Sequence, residues 1–136
     1  MKQFATARTA LLAAGLAACT ISAPKTEENM VPVDYRPKLL EQLHRQLPDP
    51  TGIRDAFIAE PALKPVEGNT NRYVACVRFT PKDENGQYSG SKELAGIYHA
   101  GQLMHLISAT PELCRGAPYQ PFPELQKLCR EIRCPA

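Results

Sequence analysis

Long apolar runs are missing from this chain of 136 residues, and so is an excess of charge of either sign. The longest apolar stretch lies near the N-terminus and covers about ten residues, half of the roughly 20 that cross a bilayer as a helix, so it is too short for a transmembrane span. Lys2 and Arg8 account for the whole net charge of +2, and the rest of the chain balances its 14 acidic side chains with as many basic ones. With no run of basic residues, charge offers no case for nucleic acid or for an anionic lipid surface as a partner. Tryptophan is absent while proline occurs 13 times, which points to a small domain with much irregular backbone.

Patterns that carry a reaction are missing too. There is no Gly-x-Ser-x-Gly elbow, no phosphate loop, no dinucleotide fingerprint, no helical histidine pair and no Cys-x2-Cys spacing for zinc. Glu93, Glu112 and Glu124 are the acids to weigh as a catalytic carboxylate pair, and unpatterned surface acids are the simpler reading. The chain is therefore expected to be non-catalytic, with neither cofactor nor metal.

What is present begins at the N-terminus. Lys2 and Arg8 form a positive segment, Ala10-Leu11-Leu12-Ala13-Ala14-Gly15-Leu16 an apolar one, and Leu16-Ala17-Ala18-Cys19 closes it with small residues before a cysteine. This resembles the signal of bacterial lipoproteins. The resemblance implies removal of residues 1–18, a diacylglyceryl group on the Cys19 sulfur and an acyl chain such as palmitate on the new N-terminus. Each buried methylene contributes roughly 0.8 kcal/mol, so two or three chains hold firmly where one does not. Thr20 stands where enteric relatives retained at the inner membrane carry aspartate, which favours the periplasmic face of the outer membrane. Residues 19–30 then read as a lipidated tether and residues 31–136 as one small domain. The tether would keep that domain within about 40 Å of the bilayer at full stretch.

With Cys19 lipidated, Cys76, Cys114, Cys129 and Cys134 remain, and an even number in an exported chain of this size reads as two disulfides. Three pairings are open. The preferred one joins Cys76 to Cys114 and Cys129 to Cys134, the latter two flanking the end of an expected helix. The rival, Cys114 with Cys129, would close a short loop worth roughly 3 kcal/mol in the chain-entropy treatment.

Along the domain, Leu39, Leu40, Leu43 and Leu47 recur at helical spacing and predict a helix over 34–47, capped by Asp34 and stopped by Pro48. His44 beside this stripe is expected to be solvated or capping. Asp49-Pro50-Thr51-Gly52 is expected to open a short helical segment. Residues 54–66, interrupted by Pro61 and Pro65, suit an edge strand. The clearest strand is 71–80, with Tyr73, Ala75, Val77 and Phe79 on one face and Val74, Cys76 and Arg78 on the other. A polar loop, 81–91, follows. Strands 92–99 and 102–108 pair as a hairpin about Ala100-Gly101. In that register Tyr98 faces Leu103 and Gly96 faces His105, so His99 and His105 lie on opposite sides unless a bulge intervenes. A capped turn at 110–114, a loop over 115–121 and a helix over 123–133 complete the chain, with Phe122 ahead of that helix as a hydrophobic staple. The fold class expected is α+β: a small antiparallel sheet of three to four strands with an N-terminal and a C-terminal helix, stapled by disulfides.

Leu47-Pro48-Asp49-Pro50-Thr51, the strand with Val74-Ala75-Cys76-Val77, and Gly86-Gln87-Tyr88-Ser89-Gly90 after Lys82 together resemble small exported proteins of proteobacteria. The resemblance spans roughly residues 35–98 and implies export and a compact fold, without an activity. The Gly86–Gly90 loop is the candidate contact site for a ligand or partner: Gly86 and Gly90 flank Tyr88, whose ring is amphipathic. Against this stands the simpler reading that Tyr88 folds onto the sheet while the glycines adopt turn geometry. The function expected is presentation of the anchored domain to an envelope protein or to peptidoglycan. The alternative is a small-molecule or inhibitor module using the Gly86–Gly90 loop.

Overall fold

The computed structural model describes Gly15 and residues 29–66, 68 and 70–131. The expectations for Cys19, for Cys134, for most of the signal and tether and for the end of the C-terminal helix fall outside the described residues.

The described chain forms α1 (Tyr35–Gln46), β1 (Asp49–Ile58), β2 (Ala62–Val66), β3 (Thr70–Lys82), β4 (Lys92–His99), β5 (Gln102–Ser108), α2 (Pro111–Cys114), β6 (Gln120–Pro121) and α3 (Pro123–Gln126). The strands make one open antiparallel sheet in the order β5-β4-β3-β1-β6, with β2 also paired to β3. The antiparallel α+β class holds, but six strands replace the three to four expected, and there is less helix.

Three particulars account for the difference. Asp49 does act as a cap, accepting from the Thr51 backbone N–H at 2.9 Å and from its hydroxyl at 2.6 Å. What it caps is the irregular start of β1, whose pairing with β3 shifts register on both sides of Arg54. No helix forms there. Next, the single edge strand expected over 54–66 is two strands that share one side of β3: β1 pairs with its C-terminal half and β2 with its N-terminal half. Pro61 sits in the break between them. Only β2 lies at an edge there, because β6 covers β1 through Phe57↔Pro121 and Ile58↔Gln120. Finally, the helix expected over 123–133 stops at Gln126. The Gln126 side chain accepts the backbone N–H of Ala56 at 3.1 Å, and the Cys129 carbonyl accepts from His44 Nε2 at 2.9 Å, so this segment is held by β1 and α1 and not by its own ladder.

The two faces of β3 divide as its alternation requires. Ala75, Val77 and Phe79 face α1 and pack with its fully buried Leu39 and Leu43, with Tyr98 of β4, and with Phe122 and Leu125 of the tail. Burial of each leucine contributes roughly 1.5–3 kcal/mol. Gly96 lets the helix seat: a Cβ there would lie 3.0 Å from Leu39 Cδ2 and 3.2 Å from Leu103 Cδ1. On the outer face, Val74 and Cys76 pack with Ala95, Ile97, Leu113 and Cys114. The Cys76–Cys114 disulfide fastens α2 over this half of the face and spans 38 residues. It is the preferred pairing of these two cysteines. Cys129 is also disulfide-bonded.

Candidate functional site

The loop singled out by sequence folds back onto the sheet. Asp83 organises it by accepting the backbone N–H groups of Asn85 and Gln87 at 2.8 and 2.9 Å, and Gly86 takes a φ of 73°. Tyr88 then bridges to β3 at Lys82. Its hydroxyl donates to the Gly52 carbonyl at 2.7 Å, and its ring lies under the Arg54 guanidinium at 3.9 Å and near Lys82 Nζ at 5.5 Å. Gly52, at φ 64°, has no room for a Cβ, which would fall 2.6 Å from Lys82 Nζ. Tyr88 thus locks the irregular start of β1 against the end of β3. Its ring contacts and hydroxyl are engaged within the fold.

The three acids weighed as catalytic groups have separate partners. Glu93 accepts from the Tyr119 hydroxyl at 2.7 Å, and burial followed by this bond pushes the Tyr119 phenol above its ordinary range. Arg78 lies over the Tyr119 ring at 4.7 Å and the Phe57 ring at 5.2 Å. Glu124 pairs with Arg36 of α1 at 3.3 Å. Glu112, in the first turn of α2, is held below the usual carboxylate range by a hydrogen bond from its own backbone N–H and one from Thr110.

A different site comes from a feature that alternation alone does not reveal. His99 pairs with Gln102 and Tyr98 with Leu103, as the two-residue turn dictates, but Ile97 pairs with His105 and Gly96 with Leu106. Met104 is therefore an extra residue in β5, and the bulge moves His105 from the helix side of the sheet to the outer side. The contingency that would unite the two histidines is realised. His99 and His105 line one open cleft of about 370 Å³ together with Val66, Thr70, Arg72, Ile97 and Met104. It occupies the half of the outer face that the segment around α2 leaves uncovered.

The cleft has two characters. Val66, Ile97 and the half-exposed Met104 make an apolar wall, while Arg72, His99, His105 and Thr70 supply polar groups. No acidic side chain lines it among the described residues. His99 Nδ1 is shielded from solvent and has no hydrogen-bond partner in the structure. Leaving a buried polar atom unsatisfied costs about 1–3 kcal/mol, and such atoms are rare in folded proteins. No group of three or more His, Cys, Asp or Glu side chains suited to a metal occurs among the described residues. Met30 comes within 3.8 Å of where a Gly101 Cβ would stand, so the chain enters the domain beside the β4–β5 turn, next to His99. No protein-family model, curated protein or solved structure matches this chain.

Proposed function

We propose that this is a lipid-anchored protein of the bacterial cell envelope that acts by binding and not by catalysis, presenting the outer face of its sheet to an envelope protein or to peptidoglycan. The anchor is supported by Leu16-Ala17-Ala18-Cys19 and by the balanced charge of everything after it. The observation that carries the binding reading is the cleft: a bulge places His99 and His105 on one face, beside an apolar wall and a shielded nitrogen without a partner. Concave apolar surface with a few convergent polar groups is the usual form of a binding site. The alternative, a ligand or inhibitor module built on Gly86–Gly90, has less support because Tyr88 already has partners on β1 and β3.

Two measurements test this reading. Intact mass of protein extracted from its own envelope, with and without reduction, should show residues 1–18 replaced by acyl chains. Free sulfur at Cys19 in such material would remove the anchor. A photo-crosslinking residue at Met104 should trap one dominant envelope component, and the same residue at exposed Glu84, beyond the far end of β3, should not. Equal yields from both positions, or none from Met104, would remove the cleft as the contact surface.

A further inference from the structure

The cleft also carries information about what it takes, an inference that rests on its being a binding surface. We propose that it holds a small aliphatic carboxylate, with the acid group at His99 and His105 and the hydrocarbon body on Val66, Ile97 and Met104. Four observations converge on this chemistry. The described lining offers a guanidinium, two imidazoles and a hydroxyl but no carboxylate, so a cation would find no counter-charge there. The shielded Nδ1 of His99 lacks a partner, and a carboxylate oxygen bonds to an imidazole N–H. The rest of the lining is apolar, which suits a ligand with one charged end. The volume of about 370 Å³ lies at the small end of the range for ligand clefts, about 300–1,000 Å³.

Two histidines without a third ligand make a poor metal site, and a large anionic polymer would need a longer cationic track than this patch provides. The chain enters the domain beside the same turn, which puts the cleft at the tethered end of the sheet. An aliphatic acid released from the adjacent bilayer would meet this end first.

The test uses the full chain in mild detergent, with the imidazole resonances followed by nitrogen–proton NMR during titration with hexanoate, acetate, hexylamine or hexanol. Hexanoate should shift His99 and His105 saturably and leave His44 unchanged, binding at least about tenfold more tightly than the other three. His105→Gln, on an exposed side chain, and His99→Gln should each weaken hexanoate by about tenfold, the loss of one charge-assisted hydrogen bond. Should hexylamine or hexanol match hexanoate, the acid assignment is overturned while the cleft stays a binding surface. If no probe shifts either histidine, the small-ligand proposal is overturned, and crosslinking from Met104 still decides the wider reading on its own.

Discussion

Removing the Cys76–Cys114 bond is the most informative perturbation of the fold, because its magnitude follows from chain length. The bond joins residues 38 apart. Confining a loop of that length in the unfolded chain contributes about 4 kcal/mol in the chain-entropy treatment. Both cysteines are buried, at 3% and 4% exposure, so Cys76→Ala with Cys114→Ala also leaves two small voids, adding about 1 kcal/mol. The double variant of the full chain should therefore lose about 4–5 kcal/mol, a fall in Tm of roughly 20 °C or more. Urea unfolding followed by circular dichroism measures it. The constraint acts on the unfolded ensemble, so the denaturant slope should also rise as that ensemble expands. Hydrogen exchange should quicken most around α2, which the bond fastens to β3. A loss below about 1 kcal/mol with unchanged slope would refute the reasoning, meaning that the apolar contacts of Leu113 hold the segment unaided.

Four further outcomes are expected. Gly96→Val should cost about 1–3 kcal/mol by urea unfolding, since added methyls meet Leu39 and Leu103 at the seat of α1. Ala100→Asn should stabilise by about 0.5–1 kcal/mol, because Ala100 and Gly101 both take positive φ, 48° and 76°, where alanine is strained and Asn-Gly is preferred. Asp49 is held below the usual carboxylate range by the Thr51 hydroxyl and then its backbone N–H. Its folded value lies below its unfolded one, so its contribution is present above about pH 4 and lost as pH falls further. Asp49→Asn should accordingly flatten the acid limb of stability against pH. Burial pushes the Tyr98 phenol well above its ordinary range. Its contribution is complete below about pH 10 and lost as pH rises through the raised folded value. Absorbance at high pH should show Tyr98 ionising with unfolding, and Tyr98→Phe should remove that component.

Elements whose pattern is set by neighbours in sequence were legible. The α1 stripe, the alternation of β3 and both strands of the hairpin lie where spacing puts them, within a residue or two. Where the sequence misleads, a distant partner decides. The leucine spacing at Leu125 and Leu128 suits a longer helix, but Gln126 and Cys129 spend their hydrogen bonds on β1 and α1. β6 exists only through two residues paired to β1, too few to leave a pattern. Asp49 carries the mark of a cap, and the same chemistry serves a bulged strand as well as a helix. As for the site, the two histidines were visible and the condition that joins them was statable. The bulge itself was not, because nothing in Leu103-Met104-His105 departs from an ordinary strand sequence.

The bulge at Met104 has a second consequence, at the rim of the molecule. β5 is the last strand of an open sheet and contains no lysine, no proline and no acidic residue over its seven positions. Strands of this kind recruit others and grow fibres unless something interrupts the rail of amides and carbonyls. One surplus residue breaks that rail near its middle. Deleting Met104 would straighten the strand, turn His105 inward against α1 and leave an uninterrupted template, so the irregularity that shapes the cleft also serves as the chain's guard against polymerising with itself.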